Sequence, residues 1–153
     1  MKFLKLTVCI ALFALSATSC KKEVENRVSK KDLIVMNGAQ VAPANQSAAS
    51  AQLGVVYQSR VKTLDYLVVW TGLTGNVAAI HVHGPADPGF PAPILQTLSG
   101  VPTARTGSIK ASLFVDGVVI KEEELLTGKY YVDIHTVGAF AASGEVRGQI
   151  IFD

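Results

Sequence analysis

The feature that most constrains this chain is a series of short apolar runs separated by turn residues, beginning near Leu33. The runs recur at spacings of about ten to fifteen residues, as in proteins built from many short strands. Pairs such as Asn37-Gly38, Asp116-Gly117 and Ser143-Gly144 lie between them and favour turns. Charged residues make up only 17% of the chain, whereas β-branched residues and glycine are plentiful. The sequence therefore predicts an all-β protein.

Eight antiparallel strands are predicted, at about 33–37, 51–58, 61–71, 77–83, 94–98, 107–115, 129–136 and 145–152. Eight such strands close most simply as a Greek-key sandwich or barrel. Only residues 121–126, with three consecutive glutamates, are predicted to be helical, for about one turn. At 153 residues the chain is long enough for one domain core and short for two.

The N-terminus has the pattern of a bacterial lipoprotein signal. A basic start, an apolar run over 6–15 and small residues over 16–19 precede Cys20. The run is about half the length of a membrane-spanning helix, so residues 1–19 are expected to be removed. Cys20 is then the expected acylated N-terminus, although Ala17 occupies a position where leucine is usual. Ordinary cleavage just before this cysteine, giving a soluble secreted protein, is the alternative.

Residues 20–32 are predicted to form the lipidated cysteine and a flexible tether, because 21–31 are rich in charge and poor in apolar side chains. Loss of Lys2 and Lys5 from 14 basic residues leaves 12, which balance 12 acidic residues, so nucleic acid is not an expected partner. The expected location is the bacterial cell envelope. There the lipid would hold the protein in the outer membrane or facing the periplasm, with exposure at the cell surface as a further option.

All three histidines lie in two predicted strands. Side chains alternate along a strand, so His81 and His83 share one face of the first. By the same rule Tyr131, Asp133 and His135 share a face of the second. Each of these strands is therefore expected to have an apolar face for the core and a second face that bears imidazole.

Several motifs together resemble those of the CHRD domain, a family named after repeats in chordin and also found in bacterial exported proteins. The motifs are Asn37-Gly38-Ala39-Gln40-Val41-Ala42-Pro43, Leu64-Asp65-Tyr66, His81-Val82-His83-Gly84-Pro85-Ala86, Leu126-Thr127-Gly128-Lys129-Tyr130-Tyr131-Val132 and Gly144-Glu145-Val146-Arg147-Gly148-Gln149-Ile150. The resemblance covers 33–153 and implies an immunoglobulin-like or superoxide-dismutase-like β fold. It also implies a binding role, whereas bacterial members have no settled activity. The chain departs from the family in its longer, proline-free loop at 137–143.

Two interpretations of the histidines remain open. In the first, His81, His83 and His135 hydrogen-bond between strands and fix the following loop, with no cofactor. In the second, they are three ligands of one zinc or copper ion with a fourth position open, and their ring nitrogens converge on one point. Asp133 or Glu145 would then accept a hydrogen bond from the ring nitrogen that does not bind the metal, and so orient that imidazole. Copper-zinc superoxide dismutase also has a His-Val-His strand, but it needs more histidines than this chain has, so a dismutase is not expected. A metal site here would instead imply a copper or zinc carrier or a weak metal-dependent redox enzyme.

Arg147 is predicted to form an ion pair with Asp133 or Glu145, since its planar guanidinium suits a carboxylate. The neighbouring Gly148 indicates a bulge or a close backbone approach. Arg147, Glu145 and Gln149 are expected to share one strand face.

The loop 84–93 contains four prolines and is expected to be stiff. It is predicted either to present Asp87 and Phe90 to a partner or to form a crossover with Phe90 tucked beneath it. The function expected first is therefore a non-enzymatic binding or adhesion module for an unidentified protein or small ligand. A protein with a single metal site is the alternative.

Overall fold

The computed structural model describes residues 25–153. They form eight strands, β1 to β8, one short helix, α1, and a 3₁₀ turn. The strands are β1 Val28–Asn37, β2 Ser50–Gln58, β3 Thr63–Thr71, β4 Val77–His83, β5 Ile94–Thr97, β6 Gly107–Phe114, β7 Tyr131–Thr136 and β8 Val146–Gln149. Helix α1 is Glu122–Leu126 and the 3₁₀ turn is Gly38–Gln40. The predicted all-β class, the eight strands and the single helical turn are confirmed.

All eight strands belong to one antiparallel sheet, in the order β5-β4-β7-β8-β1-β2-β3-β6. The sheet curls into a nearly closed barrel. Of the two predicted architectures, sandwich and barrel, the structure therefore has the barrel. The connections from β3 to β4 and from β6 to β7 each pass four strands in this order, or two when the end strands β5 and β6 are counted as neighbours, as in a Greek key.

The two end strands of the sheet meet at a seam that side chains bridge. Tyr66 of β3 donates a hydrogen bond to Gln96 Oε1 of β5 at 2.7 Å. Gln96 Nε2 in turn donates to the carbonyl of Ser112 in β6 at 3.0 Å. Gln96 therefore links β5 to the opposite end of the sheet without a strand ladder.

The core follows from strict alternation along the long strands. In β2, Leu53, Val55 and Tyr57 are buried while the residues between them are not, and β3 buries Leu64, Tyr66, Val68 and Trp70 in the same way. Gly148 of β8 stands where a Cβ would lie 2.5 Å from Met36 Cγ, so its role is close approach of the backbone. Its register with β7 has no bulge.

Strand β1 begins earlier than composition predicts. Residues 28–31 pair with β2, as Val28 opposite Gln58 and Lys30 opposite Val56, so this part of the predicted tether is strand. The Asp153 amide also donates to the Lys30 carbonyl. The mostly polar side chains of this segment bury little apolar surface, so backbone pairing with β2 is what orders it.

Residues 1–19 and the lipidation site Cys20 lie outside the described residues. Within the part of the chain that the structure describes, no helix has the length and apolarity needed to cross a membrane.

Candidate metal centre

Four side chains meet on the face of β4 and β7 that points away from the barrel core. Antiparallel pairing sets Ala79 opposite His135, His81 opposite Asp133 and His83 opposite Tyr131. Val82, Val132 and Ile134 point to the other side and are fully buried in the core. Alternation thus separates an apolar layer from a polar one on the same two strands.

The cluster consists of His81, His83, Asp133 and His135. Each contributes one potential ligand atom, and these four atoms lie within 4.8 Å of one another. His83 Nε2 lies 3.2 Å from Asp133 Oδ2, and His135 Nε2 lies 3.3 Å from Asp133 Oδ1. His81 Nδ1 lies 3.8 Å from Asp133 Oδ1. The three histidines predicted to act together are therefore adjacent.

These close contacts are not hydrogen bonds. His81 Nδ1, His83 Nε2, His135 Nε2 and Asp133 Oδ1 are buried and have no hydrogen-bond partner among the described residues. The pairs of His83 and His135 with Asp133 are ion-pair contacts of 3.2 and 3.3 Å that do not meet the geometry of an N–H···O bond. Lone pairs directed at a common point would give such contacts.

Backbone carbonyls fix the orientation of two of the rings. His83 Nδ1 lies 2.8 Å from the Ala92 carbonyl oxygen, and His135 Nδ1 lies 3.0 Å from that of Ala141. A carbonyl only accepts, so each Nδ1 must carry the hydrogen. In the neutral ring the lone pair then resides on Nε2, the nitrogen that faces the cluster.

The charges of the cluster favour a cation at its centre. Burial lowers the pKa of His81, so this ring is neutral near pH 7. Burial alone would raise the pKa of Asp133, but contacts with His135 and His83 outweigh it and hold that pKa below the ordinary value. Asp133 is accordingly an anion at neutral pH.

The pKa values of His83 and His135 respond to that anion. Contact with Asp133 raises the pKa of His135. Burial opposes the same effect at His83, but the charge and contact of Asp133 prevail, and the pKa of His83 is raised as well. Asp133 therefore stabilises positive charge beside both ring nitrogens, either as a proton on the ring or as a cation between them.

Asp133 and Glu145 have other roles than the sequence predicts. Asp133 places its carboxylate among the ligand atoms instead of behind an imidazole. Glu145 is fully buried elsewhere, where it accepts hydrogen bonds from Ser47, Thr74 and Thr136. The groups that orient two of the imidazole rings are backbone carbonyls. The sequence does not indicate this role, because every residue carries a carbonyl.

Arg147 does not form the predicted ion pair with Asp133 or Glu145. Its guanidinium lies 3.4 Å from the centre of the Tyr131 ring and donates to the carbonyls of Phe90 and Asp87. It therefore anchors the loop 84–93. The carboxylate of Asp87 pairs with Lys129.

Phe90 is 65% exposed, so it is not tucked beneath the loop 84–93. At the start of this loop, a Cβ on Gly84 would lie 2.0 Å from the Tyr130 ring, which restricts the position to glycine. The sequence indicates Gly144 only as a turn and motif residue, yet a Cβ there would lie 3.7 Å from His135 Nε2.

Comparison with family models gives one match, to the CHRD domain over residues 33–150. Comparisons with curated proteins and with solved structures gave no match. The family match spans the barrel strands from within β1 to the end of β8 and contains the whole cluster. The chain belongs to the CHRD domain family.

Proposed function

We propose that this domain binds one zinc ion through His81, His83, Asp133 and His135. It would do so as a non-enzymatic module of the bacterial cell envelope, held there by lipid on Cys20. The observation that carries the zinc site is the set of four buried polar atoms at its centre that have no hydrogen-bond partner among residues 25–153. Each such atom costs on the order of 1–3 kcal/mol when nothing satisfies it, and a bound cation satisfies all four.

The distances in the cluster suit zinc. Bonds of about 2.0–2.1 Å in a tetrahedron put neighbouring ligand atoms about 3.3 Å apart. From Asp133 Oδ1 the nitrogens of His135 and His81 lie 3.3 and 3.8 Å away, and from Oδ2 that of His83 lies 3.2 Å away. Since all four ligand atoms lie within 4.8 Å of one another, the side chains would close in on a bound ion to reach these separations.

The donor set and its burial support a structural zinc ion. Three imidazole nitrogens and one carboxylate oxygen, without sulfur, suit Zn²⁺ better than Cu⁺. A square-planar Cu²⁺ site would place neighbouring ligand atoms about 2.9 Å apart, closer than any of the three separations from Asp133. The four side chains are only 9–14% exposed. Four protein ligands in a closed site leave no position for substrate, which favours a structural over a catalytic ion.

The interpretation of the histidines as interstrand hydrogen-bonding groups accounts for only part of the cluster. It explains the Nδ1 contacts of His83 and His135 with backbone carbonyls. It leaves the opposite nitrogen of each ring, and Nδ1 of His81, without a hydrogen bond in the part of the chain that the structure describes. A metal ion accounts for both sets of atoms.

A second candidate function is binding of a protein or small ligand at the loop 84–93. Its support is Phe90, which is 65% exposed on a loop held by Arg147 and stiffened by four prolines. A preordered loop loses little entropy on binding, so it is suited to a contact surface. This function and zinc binding are compatible, since they use different atoms.

The direct test is calorimetric titration of the full chain with zinc chloride after removal of metals by a chelator. We expect one ion per chain and a dissociation constant well below ~10 μM. Asp133→Asn, which keeps the shape and removes the charge, should weaken binding at least about tenfold. Asp32→Asn is the matched control, because it removes a carboxylate that is 83% exposed.

Absence of binding tighter than ~10 μM in the folded wild-type chain would exclude the zinc site. An equal affinity for wild type and Asp133→Asn would show that zinc binds elsewhere on the protein. Circular dichroism spectra of each protein establish that it is folded before titration.

A further inference from the structure

We infer that the loop 137–144, here called the lid loop, is a metal-dependent lid over the zinc site. It is held closed when the ion is bound and opens when the ion is removed. This inference rests on the proposed function, because it requires an ion in the cluster. It concerns how the ion enters the site and how the site closes. Neither follows from which residues bind the ion.

The lid loop lies directly against the ligand atoms. The carbonyl of Ala141 accepts from His135 Nδ1 at 3.0 Å, on the side of the ring opposite the cluster. At the far end of the loop, a Cβ on Gly144 would lie 3.6 Å from Asp133 Oδ2 and 3.7 Å from His135 Nε2. The backbone of the lid loop therefore packs on two of the four ligands.

The ends of the lid loop are tied to the domain, since the Val137 amide donates to the Asn76 carbonyl at 2.9 Å and Asn45 Nδ2 donates to the Gly144 carbonyl at 3.3 Å. Its middle is held by little else. Residues 137–143 carry no charged side chain and are mostly small, and Val137 is 56% exposed. The amides of Ala141 and Gly144 bond only to carbonyls within the loop. Among the described residues, the contact between Ala141 and His135 is the one hydrogen bond that ties 138–143 to the rest of the domain. The position of the lid loop thus depends on the orientation of one imidazole.

A bound ion would fix that imidazole. Coordination at Nε2 holds the His135 ring in one orientation and polarises its Nδ1–H, so the bond to Ala141 strengthens. Without the ion, the Nε2 side of the ring has, among the described residues, only its 3.3 Å contact with Asp133 Oδ1 to hold it. Metal occupancy and closure of the lid loop are therefore coupled.

The loop 84–93 also contacts a ligand, but it has other anchors. Besides the contact of Ala92 with His83, it is bonded to Lys129, Tyr131, Arg147 and Gln149, and its two ends bond to each other. Its prolines restrict it further. Removal of the ion should therefore loosen the lid loop selectively.

The lid loop has glycine at both ends in a conformation suited to hinges. Gly138 has φ of +92° and Gly144 has φ of +80°. A Cβ on Gly138 would meet nothing within 4 Å, so alanine there changes the backbone preference without a clash. Because the four ligands are nearly buried, the ion needs an entry path, and opening of this loop provides one.

Hydrogen exchange of the full chain with and without zinc tests the coupling. We expect amides of the lid loop to exchange at least about tenfold faster without zinc, while those of 84–93 change much less. The second measurement is zinc release into excess colorimetric chelator. Gly138→Ala should release zinc about five to thirty times faster, which corresponds to the ~1–2 kcal/mol cost of a left-handed alanine in the closed state.

Gly89→Ala is the matched control, since Gly89 also has positive φ and open space but lies in the other loop. It should release zinc at the wild-type rate. If zinc binds but neither exchange of the lid loop nor release from Gly138→Ala changes, the lid is refuted and the zinc site stands. If the folded chain binds no zinc, the proposed function and the lid both fail.

Discussion

At the scale of single residues, two buried carboxylates on neighbouring strands differ in how they are satisfied. Glu145 accepts hydrogen bonds from Ser47 and Thr136 hydroxyls and from the Thr74 amide. Asp133 Oδ1 accepts none among the described residues. Buried polar atoms are normally paired, so the first carboxylate is complete within the protein and the second requires an additional group. Glu145 therefore contributes to stability, and Asp133 is the carboxylate on which the proposed zinc site depends.

Glu145→Gln should destabilise the domain by about 1–3 kcal/mol at pH 7, because it removes charge from a buried hydrogen-bonded group. Burial alone would raise the pKa of Glu145, but its hydrogen bonds hold that pKa below the ordinary value. The wild-type advantage is thus present above the unfolded pKa and is lost as pH falls through the lower folded pKa. Urea denaturation of wild type and variant from pH 7 to below pH 4 measures this difference.

The control for this experiment is Glu123→Gln, at an exposed carboxylate whose side chain makes no hydrogen bond among the described residues. It should change the free energy of unfolding at pH 7 by no more than about 0.5 kcal/mol. A difference between wild type and Glu145→Gln that stays constant down to acidic pH would contradict the assigned role of the charge.

At the scale of strands and loops, alternation predicted much of the site. It placed His81 and His83 on one face and Asp133 with His135 on another, as the structure has them. It could not predict that β4 pairs with β7 in the register that sets His81 opposite Asp133, because pairing joins residues about fifty positions apart.

Composition and residue type could not predict several other features of the fold and the site. The polar residues 28–31 are strand because they pair with β2, a tertiary effect that local composition does not encode. The carbonyls of Ala92 and Ala141 orient two ligands, but alanine carries no signal of that role. Arg147 bonds to a loop instead of a carboxylate because the loop 84–93 folds back onto Tyr131 and β8.

The seam between β5 and the opposite end of the sheet depends on Gln96. Gln96→Ala should destabilise the domain by about 1–3 kcal/mol, since it leaves the nearly buried Tyr66 hydroxyl without its acceptor. Gln52→Ala is the control, because Gln52 is exposed and its side chain makes no hydrogen bond among the described residues. Thermal unfolding of both variants measures the effect, and equal stability would exclude a role for Gln96 in closing the barrel.

At the scale of the whole molecule, the barrel domain follows closely on the proposed N-terminal lipid anchor. The structure describes a domain that begins at β1, shortly after the segment that follows Cys20. If Cys20 is acylated, Cys9 leaves with the signal peptide and the mature protein has no free thiol. An exported domain without a disulfide then has packing and the proposed zinc ion as its sources of stability.

Lipidation is tested by expressing the full chain in a bacterium that processes lipoproteins. We expect mass spectrometry to find a mature protein that begins at Cys20 and carries acyl chains, located in the membrane fraction. Cys20→Ser should abolish acylation. A mature wild-type N-terminus without lipid would contradict the proposed anchor and leave the zinc site unaffected.

The central claim is that zinc binds between the four side chains of the cluster. Anomalous diffraction at the zinc edge, from crystals of the full chain loaded with one equivalent of zinc, tests it most directly. We predict a single strong peak about 2.0–2.2 Å from His81 Nδ1, His83 Nε2, His135 Nε2 and an oxygen of Asp133. A cluster without anomalous density, with zinc bound only at other sites on the surface, would contradict the claim.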